Sequence, residues 1–264
     1  MGRANNKKLV LIKLGGSVIT DKNTPYRVRG DIIKRLAIEL KEVEKDFQIV
    51  ISHGAGSFAH TSASKYGGKK GYVNKLGIAK VAKDVIDMNK LVVDALIDQG
   101  IPAVSIRPGA IIIAQNGKIR KAFFDSIAEM LKQNLVPVVF GDVIWDKKWK
   151  STIFSGELVL NHIADYLIGK KYKIERIIQI GETNGVYDAR MKTVDMIDKK
   201  NWHKIKKFIK KGNRIDVTGG MIHKIETSLI LAEKGIKTII INGNTPRELV
   251  NAFYDKKVKG TFIV

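Results

Sequence analysis

Apolar and polar positions along this chain switch repeatedly between two periods. Residues 9–14 form an apolar run broken only by Lys13, the length and character of one buried parallel strand. From 31 to 45 the period changes, with Ile32, Ile33, Leu36, Ile38, Leu40 and Val43 recurring at helical intervals. Residues 48–52 predict a second strand, 77–99 a long helix and 102–106 a third strand. The runs 111–114 and 118–122 flank Asn116-Gly117, a dipeptide suited to a tight hairpin turn. A helix over 126–133 leads to the apolar strand 136–140. The second half repeats this order with a helix at 157–167, a strand at 176–180 and a lysine-rich helix at 199–211. A last helix opens at Thr218-Gly219-Gly220-Met221 and runs to Lys234, ahead of a strand over 238–241. Such alternation predicts an α/β fold: an open, mostly parallel sheet sandwiched between helices, with a small β-hairpin. No Pro- or Gly-rich linker divides the chain, so 1–264 reads as a single domain. Its two lobes, 9–150 and 151–264, meet near 150–170.

Nearly every predicted strand ends in a small-residue turn. Gly15-Gly16-Ser17, His53-Gly54-Ala55-Gly56-Ser57, Gly141-Asp142, the segment 181–185 and Asn242-Gly243-Asn244 all fall there. In an open α/β sheet the ligand lies beyond the carboxyl ends of the strands, so these turns are expected to line one rim. Bare N–H groups in a glycine turn make a concave anion site, and Lys13 and Lys22 bring two positive charges beside the first one. An ammonium inside a buried strand is costly unless an anion meets it, which turns Lys13 into a phosphate-binding candidate.

Composition narrows the setting. The 264 residues are 44% hydrophobic and contain no cysteine, which excludes disulfides and thiolate metal sites. The first eight residues are polar and basic, and no apolar run approaches the roughly 18 residues a bilayer span needs. The expectation is a cytoplasmic protein without membrane association. Lys and Arg outnumber Asp and Glu by 47 to 26, giving a formal charge of +21. The denser patches, at 65–75, 147–150, 199–211 and 256–259, carry few interleaved aromatics. Base-stacking nucleic-acid binders show the opposite, so no specific nucleic-acid function is expected. A field of this sign does draw in small anionic substrates.

Lys-Leu-Gly-Gly-Ser at 13–17, His-Gly-Ala-Gly-Ser-Phe-Ala-His at 53–60, Gly141-Asp142, Ser-Gly-Glu at 155–157 and Val-Thr-Gly-Gly-Met-Ile-His-Lys at 217–224 occur in that order. In these motifs the chain resembles the amino-acid kinase superfamily, and within it the isopentenyl phosphate kinases of archaea, over essentially residues 9–264. Lys-Leu-Gly-Gly-Ser is shared across the superfamily. The segment 53–60 is the discriminating one, because a histidine like His60 grips the acceptor phosphate in isopentenyl phosphate kinases and in the related fosfomycin kinases. Asp21-Lys22, Thr24-Pro25-Tyr26 and 101–106 also look like that family.

The resemblance implies transfer of the γ-phosphoryl group of ATP, with Mg2+, to isopentenyl phosphate, giving isopentenyl diphosphate and ADP for isoprenoid synthesis. It also implies a homodimer. By the same resemblance Lys13 and Lys22 would neutralise the transferring group, within the N–H groups of Gly15, Gly16 and Ser17. Gly54, Ala55 and Gly56 would present main-chain donors to the acceptor phosphate and His60 would bond it, with Gly156 and Asp142 nearby. Asp142 would orient the acceptor site or its histidine. Lys224, on the helix opening at Gly219-Gly220, would reach the ATP phosphates, while Glu182 and Gly185 border the nucleotide. Glu157 stands where the family has an aspartate that organises the lysines.

Two departures bear on specificity. Phe140 replaces the histidine usual before Gly-Asp, and 181–187 reads Gly-Glu-Thr-Asn-Gly-Val-Tyr where Thr-Asp-x-Asp-Gly-Val-Tyr is usual. Two alternatives follow: a kinase for another small phosphate or phosphonate, or a catalytically weak regulatory member. Retention of Lys13, Lys22, His60 and Lys224 speaks against the last. His53 is expected to end its strand, and Asp84, Asp87 and Asp94 to form a solvated helix face. Ile78, Val81, Ala82, Val85 and Met88 either wall a small apolar acceptor pocket or pack as ordinary core.

Overall fold

A computed structural model of the chain describes residues 7–68, 71, 72, 74–211 and 220–264. β1 (Lys8–Leu14) turns through α1 (Gly16–Ile19) into α2 (Gly30–Glu44), which returns the chain to β2 (Phe47–His53). Next come α3 (Gly56–Tyr66), the two-residue β3 (Gly67–Gly68) and β4 (Gly71–Tyr72), α4 (Lys75–Asp98) and β5 (Ala103–Ser105). The middle of the chain holds α5 (Pro108–Ile111), β6 (Ile112–Gln115), β7 (Lys118–Ala122), α6 (Asp125–Lys132) and β8 (Val136–Phe140). β9 (Asp142–Asp146) and β10 (Lys150–Phe154) precede α7 (Gly156–Gly169), β11 (Ile174–Gly181) and β12 (Met196–Ile197). The remainder is α8 (Lys199–Lys211), α9 (Gly220–Ala232), β13 (Lys237–Asn242), α10 (Glu248–Phe253) and β14 (Gly260–Ile263).

Eight strands form the main sheet in the order β12-β14-β13-β11-β1-β2-β8-β5. Its pairings are parallel except for β13 with β14. Both faces of β1 are buried, and the two-residue period sorts its side chains between two cores. Val10, Ile12 and Leu14 join the residues of α2, α10 and the end of α4, including Leu36, Phe253 and Met88. Leu9 and Leu11 join α6 and α7 on the other face, including Ile127 and Ile163. Lys13 follows Leu9 and Leu11 in this alternation, so it points to the α7 side at the carboxyl end of the strand. Beside it in register lie Ser52 and Gln179, a polar row at the end of an apolar sheet.

The predicted α/β sandwich is present, with most predicted bounds shifted by one or two residues. The hairpin is larger than expected. β6 and β7 pair with a second hairpin, β9 with β10, in a separate four-stranded sheet ordered β10-β9-β6-β7. The charged turn 147–149 obscures that second hairpin in the sequence, and Asp146 secures it by accepting from the N–H groups of Asn116, Gly117, Lys148 and Trp149. α3 is also unpredicted, because Gly-Ser-Phe-Ala-His-Thr-Ser-Ala-Ser carries no continuous apolar stripe. Asp84 is not on a solvated face; it is buried and accepts from Tyr26 Oη at 3.0 Å. Asp87 and Asp94 do lie on the exposed face, paired with Lys83 and Lys90. Val81 and Ala82 pack with Val143, Ile78 and Ile153, whereas Met88 belongs to the main core.

Candidate active site

The strand-end turns assemble through their own backbones. Gly15 N donates to Ile180 O at 2.8 Å, Gly54 N to Leu14 O at 3.0 Å, Gly141 N to His53 O at 3.0 Å and Gly243 N to Gly181 O at 2.8 Å. Each bond carries the parallel ladder one step past its strand, so the four turns are set side by side on one rim. The Gly15 and Gly54 turns then meet. A Cβ on Gly16 would lie 2.6 Å from Gly56 N, and one on Gly54 would lie 2.9 Å from Gly16 N, so bare backbone is needed on both sides. α3 begins at this junction and directs its positive N-terminal end at the rim, with His60 exposed one turn further on. Ser57 is buried at 3% exposure, and its Oγ has no hydrogen-bond partner among the described residues. A buried hydroxyl left so costs about 1–3 kcal/mol unless a ligand meets it.

Three cations converge on this rim. Burial first, then the Lys224 and Lys22 ammonium groups, lower the Lys13 pKa to about 8 against an opposing pull from Glu157. That set of influences places Lys224 of α9 and Glu157, in the first turn of α7, within electrostatic reach of Lys13. Ser155 caps α7 by accepting from Leu158 N at 3.1 Å, and Ser52 Oγ donates to Gly156 O at 2.7 Å, anchoring the helix start that carries Glu157 to β2. Lys22 is more exposed and donates to Glu182 at 2.9 Å, with Arg29 3.9 Å from the same carboxylate. The N–H groups of Gly15 and Gly54, expected to face phosphate, are instead committed to Ile180 O and Leu14 O as the sheet ladder runs past the strand ends, while Lys13, Lys22 and Lys224 concentrate positive charge beside these turns.

The other expected residues fall into place unevenly. Gly185 and the turn after β11 border a narrow cavity of about 110 Å³, lined mainly by Val186, Tyr187, Met191, Phe208 and Met221. Gly220 opens α9, while Gly219 and Thr218 lie outside the described residues. Asp142 does not orient a histidine through the bonds it makes. It is fully buried and accepts from Gly109 N at 2.8 Å, Val143 N at 2.7 Å and Arg107 Nε at 3.3 Å. Burial raises its carboxyl above the usual range against the pull of those donors. Phe140 stacks on His53, with ring centres 5.6 Å apart, and joins Ala55 and Val85 in a small apolar cluster. The aromatic therefore packs against the turn at Gly54–Gly56 through Ala55 and His53. His53 is buried and its Nε2 lies 3.1 Å from Asn89 Oδ1, ending its strand as expected. Sequence reasoning missed Ser57 and Thr20; the first stood inside a quoted motif, and nothing short-range distinguished the second.

Fold and site together define a phosphate-handling α/β protein, and similarity to known proteins agrees. The model of the amino acid kinase family matches residues 8–242, and the chain belongs to that family. Among its relatives, isopentenyl phosphate kinase of Methanocaldococcus jannaschii is 34% identical over 97% of this chain and 98% of its own length. Isopentenyl phosphate kinase of Methanothermobacter thermautotrophicus is 35% identical, with coverage of 97% and 98%. A solved structure described as "X-ray structures of isopentenyl phosphate kinase" superposes with a TM-score of 0.81 at 32% identity, covering 97% of this chain and all of that one.

Proposed function

We propose that this chain is an ATP-dependent kinase that phosphorylates isopentenyl phosphate, giving isopentenyl diphosphate and ADP. The observation that carries the reading is the pair of glycine turns in backbone contact, with Lys22 and Lys224 within electrostatic reach of Lys13 next to them. The reaction must bring two polyanions together, and positioning with fixed positive charge accomplishes most of that task. In this reading Lys13 and Lys22 neutralise the transferring group within the Gly15-Gly16-Ser17 turn. Lys224 holds the nucleotide phosphates, Glu157 keeps the lysines apart and oriented, and the cavity beside Gly185 takes the base. The acceptor phosphate lies against Gly54, Ala55 and Gly56, with His60 and Ser57 Oγ as side-chain donors and Gly156 close by. The apolar cluster of Val81, Ala82, Ile78, Val143 and Ile153 faces the hydrocarbon end.

Mg2+ enters this reading with the nucleotide. Among the described residues no group of three or more His, Cys, Asp or Glu side chains is placed to hold a metal ion; in this reading the ion is carried by phosphate oxygens and water. None of their helices is long and apolar enough to cross a membrane. A cytoplasmic homodimer with no specific nucleic-acid partner completes the proposal, on the family resemblance and the scattered charge.

The test is a coupled ADP-release assay with MgATP and isopentenyl phosphate, dimethylallyl phosphate or fosfomycin, run on the parent and on His60→Ala. Turnover with isopentenyl phosphate is expected to dominate. Loss of one charged hydrogen bond in His60→Ala, about 1.5–3 kcal/mol, should lower kcat/KM roughly tenfold to 150-fold. Turnover confined to another acceptor would overturn the assignment.

A further inference from the structure

The two glycine turns touch through bare backbone, and one side chain fastens them. Thr20 caps the C-terminal end of α1 and is fully buried. Its Oγ1 donates to Gly16 O at 2.8 Å and accepts from Ser57 N at 3.0 Å. The hydroxyl proton is thus committed to the first turn and a lone pair to the opening of α3. The same oxygen occupies the space beside residue 56: a Cβ there would lie 1.9 Å from it, at a backbone φ of +48°. Thr20 is itself held, its N–H donating to Gly16 O at 2.9 Å and its backbone bridging to Val28.

Sheet pairing fixes only the roots of the two turns. The β1–β2 ladder ends with Leu14 opposite His53, one step before Gly54 N reaches Leu14 O. Beyond that step the tips, Gly16 and Gly56-Ser57, meet without side chains of their own between them. We propose that Thr20 is a positioning residue that sets the separation of donor and acceptor phosphates by clamping the Gly15–Ser17 turn to the first turn of α3. This rests on the phosphoryl-transfer reading of the same site. Thr20 needs no contact with either phosphate. Productive transfer requires reacting atoms about 3–3.5 Å apart, and displacements near 1 Å cost about a hundredfold in rate. A clamp of this kind acts on kcat more than on KM, because each turn still binds its own phosphate when the clamp is lost.

The experiment compares the parent with Thr20→Val, which keeps the shape and removes both bonds, and Thr20→Ser, which keeps the hydroxyl. Steady-state kinetics with MgATP and isopentenyl phosphate are read beside amide hydrogen exchange at Ser57. Thr20→Val is expected to lose about a hundredfold in kcat, with both KM values within about threefold of the parent. Its Ser57 amide should exchange faster, and Thr20→Ser should restore both readouts. Equal kcat losses in the two variants, a Thr20→Val kcat close to the parent's, or an unchanged Ser57 exchange rate would overturn the clamp. A parent without turnover would instead refute the proposed function, and the exchange comparison alone would then decide on Thr20. If Thr20→Val fails to fold, Thr20→Ala gives the same comparison with room for a bridging water.

Discussion

Lys13 shows how much one residue can reveal. A lysine in an otherwise apolar strand is costly to bury, and the structure shows the consequence as a pKa of about 8, set first by burial and then by neighbouring ammonium groups. The sign of the pH dependence follows. In the free enzyme Lys13 is charged below about pH 8 and neutral above it, so kcat/KM should fall as pH rises through that value. A bound polyanion stabilises the charged form, so the limb in kcat should lie at higher pH, and Lys13→Arg should move the kcat/KM limb upward. Stability runs the other way. Between pH 8 and the ordinary value of 10.5 the unfolded chain holds more protons at this group than the folded one, so this contribution to stability rises with pH. A pH–rate profile with no limb near 8 would contradict the assignment. Ser57 and Thr20 carried no comparable signal, since a serine or threonine near a turn is ordinary and the bond that joins them, Ser57 N to Thr20 Oγ1, spans 37 residues of sequence.

At the scale of elements, periodicity found the long helices and buried strands because each presents a repeated apolar face. It missed what is held by pairing: the β9–β10 hairpin, the strand β14 between β12 and β13, and the short helices α3 and α10. These elements owe their place to partners such as β6, β13 and the Gly54 turn rather than to their own pattern. Phe140 belongs to this scale. In the sequence it reads as the loss of a polar group near the acceptor, whereas in the fold it stacks on His53 at the turn that leads to α3. Restoring the family residue with Phe140→His should therefore not raise activity. Placing an imidazole in that buried apolar cluster should lower stability by about 1–3 kcal/mol, measured by urea denaturation. A gain in isopentenyl phosphate turnover would show that the ring position does face the acceptor.

Over the whole molecule, the +21 charge and the clustered cations of the rim act on the same substrates. Long-range attraction is screened within about 10 Å at 0.1 M salt, while contacts inside the site are screened far less. Raising ionic strength should accordingly lower kcat/KM for ATP and for the acceptor steeply and leave kcat nearly constant, in initial-rate measurements at fixed pH. A kcat that falls in parallel would place the effect in the transfer step itself.

What the sequence determined by itself is the alternation of strand and helix, the glycine turns at strand ends and the presence of Lys13, Lys22, His60 and Lys224 along the chain. Those features are local or arise from spacing, and backbone propensity, hydrophobic periodicity and the cost of a buried charge act over a few residues. Tertiary structure alone decided which turns touch, that Asp142 serves Arg107 and the α5 corner, that Asp84 is buried, and that Thr20 joins Gly16 to Ser57. Each of these depends on strand order and register, which bring together groups separated by tens of residues whose pairing no short stretch of sequence encodes.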